Sequence, residues 1–114
     1  MKSKLLSALV LVMMFCSVVS AASVPSVTML STKTCPACQQ MAKVLTEINA
    51  KYNGKINTSH IYLEDQPELA KQYNVRYVPM LIFKDASGNE KAREVGYRSL
   101  DEVLKVFQKA GIKI

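Results

Sequence analysis

The stretch that decides the fold is residues 27–38, which read VTMLSTKTCPAC. It opens with a short apolar run, Val27–Leu30, of the kind that forms a buried strand. A polar turn follows, in which Thr34 can cap a helix. Pro36 then falls near the first helical position, where its missing N–H would be unpaired in any case. The stretch therefore predicts a strand, a turn and a helix, with two cysteines where the helix begins.

The two cysteines, Cys35 and Cys38, stand three positions apart and are predicted to have unequal environments. At the start of the helix, Cys35 faces free backbone N–H groups and the positive end of the helix dipole. We therefore expect the pKa of its thiol to lie below the ordinary value, and Lys33 would lower it further if its side chain turned that way. Cys38 lies one turn further on, where burial favours the neutral thiol. An exposed nucleophile beside a shielded partner is what disulfide exchange requires.

The rest of the chain alternates between strand and helix patterns. The predicted face of the first helix has three- and four-residue spacing and comprises Cys38, Met41, Ala42, Leu45, Ile48 and Tyr52. The later elements are a strand over Ile56–Leu63, a short helix over Pro67–Tyr73, strands over Val78–Phe83 and Lys91–Val95, and a helix opened by a capping box at Ser99. This order implies one parallel strand pair followed by an antiparallel hairpin. We predict an α/β fold with a four-stranded mixed sheet flanked by helices.

Residues 1–22 have the pattern of a secretory signal peptide. Two lysines precede the apolar run Leu5–Val19, and small residues follow up to Ala22. The run is shorter than the roughly 20 residues that span a bilayer. We expect cleavage near Ala22, which leaves residues 23–114 as one periplasmic or otherwise exported domain. A retained anchor helix is the alternative.

Charge and cysteine usage narrow the function. The formal net charge is +6 at pH 7, but the basic residues are scattered among acidic ones. This distribution does not favour nucleic acid as a partner, and we predict none. Only two of the three cysteines lie beyond residue 22, and a bridge between them would close too small a loop to stabilise the fold appreciably. A reactive role therefore explains the pair better than a structural one.

A metal site built on the cysteine pair is the alternative to disulfide exchange. Structural zinc needs four ligands, and His60 is the only other soft ligand after residue 22, so no such site is predicted for a monomer. Haem attachment would need histidine after Cys38, where Gln39 stands. A copper-carrying module stays open, because thiolates suit Cu(I). If the pair exchanges disulfides, we expect a monomer with no cofactor beyond the disulfide of the pair.

Three segments together resemble the thioredoxin family. The first is the strand and turn that lead into Cys35–Cys38 at a helix start. The second is Tyr73–Phe83, in which a Tyr-Asn-Val-Arg run leads into Pro79 and an apolar strand. The third is Glu94–Gly96, just before the last helix. The resemblance covers nearly all of Val27–Gly111 and implies a thioredoxin-like fold that lacks the family's usual first strand and helix.

The resemblance also implies roles for individual residues. Cys35 would be the nucleophile and Cys38 the resolving thiol of a protein-disulfide oxidoreductase. Pro79 would be the family's cis proline facing the cysteines, although a plain strand-start proline is the alternative. Val78 would offer its backbone to an extended substrate chain, and Gly96 would border the same groove.

Three positions depart from the family pattern. Met29 stands where thioredoxins keep a buried aspartate that assists proton transfer, and Thr34 stands where they usually have tryptophan. His60 falls in the place of the aspartate's lysine partner and could relay protons instead. A structural role is the alternative for a lone histidine on a strand, and Glu64 is the weaker candidate for the relay.

The residues between the cysteines bear on the direction of electron flow. Strongly oxidising exported Dsb-type oxidases resemble one another in a Pro-His pair at this place and in a large helical insertion. This chain has Pro36-Ala37 and no such insertion. We therefore expect a reductase or a moderate exchanger rather than a strong oxidase. Similarity to exported thioredoxins implies protein thiols and disulfides as partners, and a thiol-transferring membrane reductase as electron donor.

Overall fold

The computed structural model describes Ser23–Ile114, and the predicted signal peptide lies outside the described residues. The elements are β1 (Ser26–Ser31), α1 (Pro36–Lys51), β2 (Asn57–Tyr62), α2 (Glu68–Gln72), β3 (Met80–Lys84), β4 (Glu90–Val95) and α3 (Leu100–Lys109). Their order and types are those predicted, and only their ends differ. Between Ser23 and Ile114, no helix is both long enough and apolar enough to cross a membrane.

The four strands form one mixed sheet in the order β2-β1-β3-β4. Strands β1 and β2 are parallel, with Met29 opposite His60. Strand β3 runs antiparallel to both of its neighbours, so that Met80 lies opposite Leu30 of β1 and Val95 of β4. These directions bring the C-terminal ends of β1, β2 and β4 and the N-terminal end of β3 to one end of the sheet. The four-stranded mixed sheet is therefore confirmed, and every residue proposed for the site lies towards this end.

The two faces of the sheet pack against separate apolar clusters. On one face, α1 and α3 cover alternate strand residues such as Val27, Met29 and Leu81. The rings of Phe83 and Phe107 meet edge to face in this cluster, with centroids 5.0 Å apart. The opposite face has a smaller cluster of Leu30, Met80 and Ile82, against which Ile61, Leu63, Leu69, Tyr73 and Val75 pack. The larger cluster thus fixes α1, which carries the cysteines, to the sheet.

Local signals account for the two longer helices. The buried residues of α1 are Cys38, Met41, Val44, Leu45 and Ile48. The predicted face was right in position, but it omitted Val44 and included the half-buried Ala42 and Tyr52. At the start of α3, the Ser99 hydroxyl accepts the Glu102 N–H and the Glu102 carboxylate accepts the Ser99 N–H. The predicted capping box is therefore confirmed.

Candidate active site

Cys35 and Cys38 form a disulfide at the N-terminus of α1, with their Cα atoms 5.2 Å apart. The sulfur of Cys35 accepts the backbone N–H of Cys38 at 3.1 Å, which makes Cys35 the N-cap residue. The prediction that Thr34 caps this helix was wrong. Pro36 occupies the first helical position, where its fixed φ suits the helix, so the cap falls on the residue directly before it.

The two sulfur-bearing residues differ in exposure. Cys35 is half-buried, whereas Cys38 is only 2% exposed and lies on the face of α1 that packs against the sheet. A partner protein could therefore reach the first sulfur more easily than the second. This difference agrees with a nucleophile and a resolving thiol, and the assignment of those roles stays a prediction.

The Lys33 side chain pairs with an acidic residue that follows β2. Its ammonium group pairs with the Asp65 carboxylate at 3.0 Å and lies 5.8 Å from the centre of the Tyr62 ring. The hydrogen bond and charge of Asp65 raise the pKa of Lys33. The backbone N–H of Lys33 donates to the Glu64 carboxylate at 2.8 Å. Two acidic residues after β2 thus hold the loop before the cysteines, and the suggested help of Lys33 to the thiolate stays a prediction.

Pro79 and Gly96 lie side by side at the end of the sheet where α1 begins. The Val78–Pro79 peptide bond is cis, as predicted, and Pro79 is fully buried. The Gly96 N–H donates to the Pro79 carbonyl at 2.8 Å, which extends the β3–β4 pairing past Met80. Gly96 has φ of 96°, in the left-handed region that favours glycine. The roles of Val78 and Gly96 in substrate binding stay predictions.

Two exposed tyrosines stand next to Val78 and Gly96, and neither was predicted from the sequence to belong to the site. Tyr77 directly precedes Val78 and is 70% exposed, and Tyr97 directly follows Gly96 and is 46% exposed. The sequence did carry a signal for these tyrosines, because each lies within two residues of Pro79 or Gly96. We call the surface formed by Tyr77, Val78, Gly96 and Tyr97 the substrate groove, after the substrate binding that is predicted for Val78 and Gly96.

His60 stands on the β2 side of the cysteine pair. Its Nε2 lies 2.6 Å from the hydroxyl of Ser31, which is fully buried and was predicted only to lie in a polar turn. Its ring contacts that of Tyr62, with centroids 4.5 Å apart and planes tilted by 47°. The residue as a whole is exposed, and partial desolvation of its ring lowers the pKa of His60. Both Cys38 and His60 line a cavity of about 210 Å³, which we call the Cys38 cavity.

No cluster of three or more histidine, cysteine, aspartate or glutamate side chains suited to a metal occurs in the part of the chain that the structure describes. The second candidate for a proton relay, Glu64, is engaged with the Lys33 backbone and does not line the Cys38 cavity.

Known proteins with similar sequences are thioredoxins. Thioredoxin from Staphylococcus aureus is 33% identical over 76 residues, which are 66% of this chain and 71% of that protein. Thioredoxin from Staphylococcus saprophyticus is 32% identical over 76 residues, which again cover 66% of this chain and 71% of that protein.

Solved structures with low sequence identity share the fold. Chloroplastic thioredoxin z superposes with a TM-score of 0.69 at 15% identity, over 78% of this chain and 80% of that one. Thioredoxin-2 of the malaria parasite gives a TM-score of 0.69 at 22% identity, over 82% and 89% of the two chains. A family model described as a thioredoxin-like domain matches residues 16–111. The chain thus belongs to the thioredoxin-like family of thiol–disulfide oxidoreductases, whose redox group is the cysteine disulfide itself.

Proposed function

We propose that this protein is an exported protein-disulfide oxidoreductase that works as a reductase or moderate exchanger. The observation that carries the proposal is the disulfide at the start of α1, which joins a half-buried sulfur to a buried one. It lies at the end of the sheet where the substrate groove also lies. A stabilising bridge would not need this asymmetry, and it would close too short a loop to restrict the unfolded chain much.

The reduction of a substrate proceeds in two exchanges. In the reduced protein, the Cys35 thiolate attacks one sulfur of a substrate disulfide, and the other substrate sulfur leaves as a thiolate. The Cys38 thiolate then attacks the Cys35 sulfur, the mixed disulfide breaks, and the second substrate sulfur leaves. Two electrons pass from the protein to the substrate. The Cys38 N–H, which already contacts the Cys35 sulfur at 3.1 Å, would support negative charge there.

The substrate groove suits an extended polypeptide. Neither backbone polar group of Val78 has a hydrogen-bond partner among residues 23–114, so both can pair with a substrate chain as a strand would. Tyr77 and Tyr97 add exposed aromatic surface on either side. Thr34, beside the nucleophile, adds none, so this chain would contact apolar substrate residues through the two tyrosines.

The surroundings of Cys35 support the reducing direction. A strong oxidant has a strongly stabilised reduced form, which means a strongly stabilised thiolate. Here Pro36-Ala37 supplies no cation, and the nearby Lys33 ammonium is paired with Asp65. The thiolate would therefore depend mainly on the helix N-terminus.

The proposed setting is outside the cytoplasm. The basic, apolar and small residues of segment 1–22 support export, with cleavage near Ala22. A reductase in an oxidising compartment needs an electron source, and a thiol-transferring membrane reductase would supply the electrons. This protein would accept them as a monomer. Mass spectrometry of protein exported by a Gram-negative host tests the cleavage: an N-terminus at Ser23 is expected, and a retained segment 1–22 would favour an anchored form.

Insulin reduction tests the activity, and the reduction potential of the Cys35–Cys38 pair tests the direction. We expect turnover at catalytic concentration and a potential near that of thioredoxin, about −270 mV. A potential near −120 mV would instead indicate an oxidase. Failure to reduce insulin, together with tight binding of one Cu(I) ion, would favour the copper-carrying alternative.

A further inference from the structure

The resolving step requires the Cys38 thiol to lose a proton. Only a thiolate attacks a disulfide, yet Cys38 is 2% exposed, and burial favours the neutral thiol. A base within reach of the sulfur would remove this obstacle. Besides Cys38, three titratable side chains line the Cys38 cavity: Lys33, His60 and Tyr62.

Of these three side chains, His60 alone is a base at neutral pH. A lysine ammonium and a phenol keep their protons at pH 7, and Asp65 raises the pKa of Lys33 further. Partial desolvation lowers the pKa of His60, so its ring is neutral at pH 7 and free to accept a proton. The carboxylates of Glu64 and Asp65 bind Lys33 and do not line the cavity. The residues that α1 contributes besides Cys38 are uncharged.

Ser31 holds the imidazole in a state suited to this task. Its hydroxyl lies 2.6 Å from His60 Nε2 and 3.4 Å from the carbonyl oxygen of Ile61. When the hydroxyl donates to that carbonyl, it accepts from Nε2–H, and Nδ1 is left to take up a proton. The same hydrogen bond persists after the ring becomes charged. Protonation of His60 therefore requires no rearrangement of Ser31.

Strand register and the shared cavity place Cys38 and His60 within reach of the same water molecules. His60 lies opposite Met29 in the β1–β2 pairing, so its side chain is on the face that α1 covers. The cavity between them, about 210 Å³, has room for several water molecules at roughly 30 Å³ each. A proton can pass between the sulfur and the ring through such water.

We propose that the Ser31–His60 pair accepts the proton of Cys38 during resolution of the mixed disulfide, an inference that rests on the proposed function. The Cys38 proton moves through cavity water to His60 Nδ1. The sulfur's electron pair then forms the bond to the Cys35 sulfur, the bond between Cys35 and the substrate breaks, and the substrate leaves as a thiolate. His60 returns its proton to solvent. No external oxidant or reductant enters this step.

A two-phase reaction with 5,5′-dithiobis(2-nitrobenzoate) separates the two thiols. Attack by Cys35 on this disulfide releases one coloured thiolate, and attack by Cys38 on the mixed disulfide releases a second. With His60→Gln we expect the second phase to slow at least about tenfold at pH 7, since a positioned base typically contributes 10²–10⁴. The first phase should not change. The difference should shrink toward pH 9, where solvent can deprotonate Cys38 unaided.

The pH profile distinguishes proton transfer from a structural role. The wild-type second phase should fall as the pH drops through the pKa of His60, and His60→Gln should lose this inflection. His60→Glu retains a base of lower pKa, so it should restore the rate at pH 7 and move the inflection to lower pH. Ser59→Ala is the matched control, because it alters the same strand but not the lining of the Cys38 cavity.

Two results would overturn different claims. A His60→Gln protein whose second phase has the wild-type rate and pH dependence would refute the proton relay, and its intact first phase and insulin reduction would leave the proposed function standing. A reduced wild-type protein that shows no first phase would refute the oxidoreductase function, and the relay with it.

Discussion

The two sides of the disulfide are built from different materials. On the substrate side lies the substrate groove, in which Val78 and Gly96 contribute backbone groups at the end of the sheet. On the proton side lies the Cys38 cavity, in which Ser31 and His60 contribute side chains from the parallel pair β1 and β2. The first side is partly exposed and shaped by main-chain geometry, whereas the second depends on particular polar side chains.

This difference indicates which parts of the site can vary. A backbone pairing edge needs only proline and glycine at fixed places, and the sequence meets that requirement. A proton acceptor can be any base that reaches the buried thiol. Here Met29 provides none, while His60 lies opposite it on the neighbouring strand. In the proposed relay, the exchange chemistry is kept while proton transfer moves to a different residue.

The largest expected effect comes from the cysteines themselves. Cys35→Ser removes the nucleophile and should lower insulin reduction by about 10³-fold or more. Cys38→Ser should keep the first attack and accumulate a mixed disulfide with the substrate, which non-reducing electrophoresis and mass spectrometry would detect. If Cys35→Ser rather than Cys38→Ser accumulates the mixed disulfide, Cys38 is the nucleophile and Cys35 the resolving thiol.

Most of the fold could be predicted because its signals are local. The apolar runs of β1 and β3, the capping box at Ser99 and the turn before β4 each need only neighbouring residues. The position of the cap on α1 was missed, because Cys35 takes a place usually filled by oxygen-bearing side chains. A cysteine at such a position is interpreted first as a reactive residue and only second as a capping residue.

The proton side was predicted in part, and the reason is distance along the chain. Ser31 and His60 are 29 residues apart, and only the register of β1 against β2 brings them together. The direction of Lys33 was likewise fixed by Asp65, 32 residues away. By contrast, the resemblance to the thioredoxin family already placed Pro79 and Gly96 near the cysteines. Contacts that follow from strand register without a family pattern were the ones missed.

A substitution at Gly96 tests whether the substrate side depends on backbone shape. Gly96 has φ of +96°, and an added Cβ would meet only Arg98 Nη1 at an ordinary 3.6 Å. The cost of Gly96→Ala is therefore conformational, about 1–3 kcal/mol in the free energy of unfolding. We also expect KM for insulin to rise several-fold, because the pairing with Pro79 would shift.

Gly88→Ala is the matched control for this prediction. Gly88 has φ of +85° and nothing within 4 Å of an added Cβ, but it lies in the β3–β4 turn, at the other end of the sheet. It should lose comparable stability in denaturant titrations without a change in KM. Equal changes of KM in both variants would mean that lost stability, rather than groove shape, governs substrate binding.

Removal of the exposed aromatic rings should have a smaller effect. Tyr77→Ala and Tyr97→Ala should each lower kcat/KM for insulin about fivefold, close to 1 kcal/mol of binding, as expected for an aromatic contact. Their stability should change little, since both side chains are exposed. The rate of reaction with 5,5′-dithiobis(2-nitrobenzoate), which is too small to span the groove, should be nearly unaffected. Ile114→Ala, which removes an exposed apolar side chain at the C-terminus, serves as the control.

The smallest expected effect concerns the charge next to the cysteine pair. Asp65→Asn frees the Lys33 ammonium from its pairing partner, so the positive charge can act on the Cys35 sulfur. The thiol pKa should then fall, more thiolate should be present at pH 6, and the first phase should accelerate about twofold at low salt. The gain should disappear in 0.5 M NaCl, because exposed charges are screened. Glu47→Gln, which breaks the ion pair with Lys51 at the far end of α1, should leave the rate unchanged. An equal gain in both variants would show that net charge, rather than the position of Lys33, sets the reactivity of Cys35.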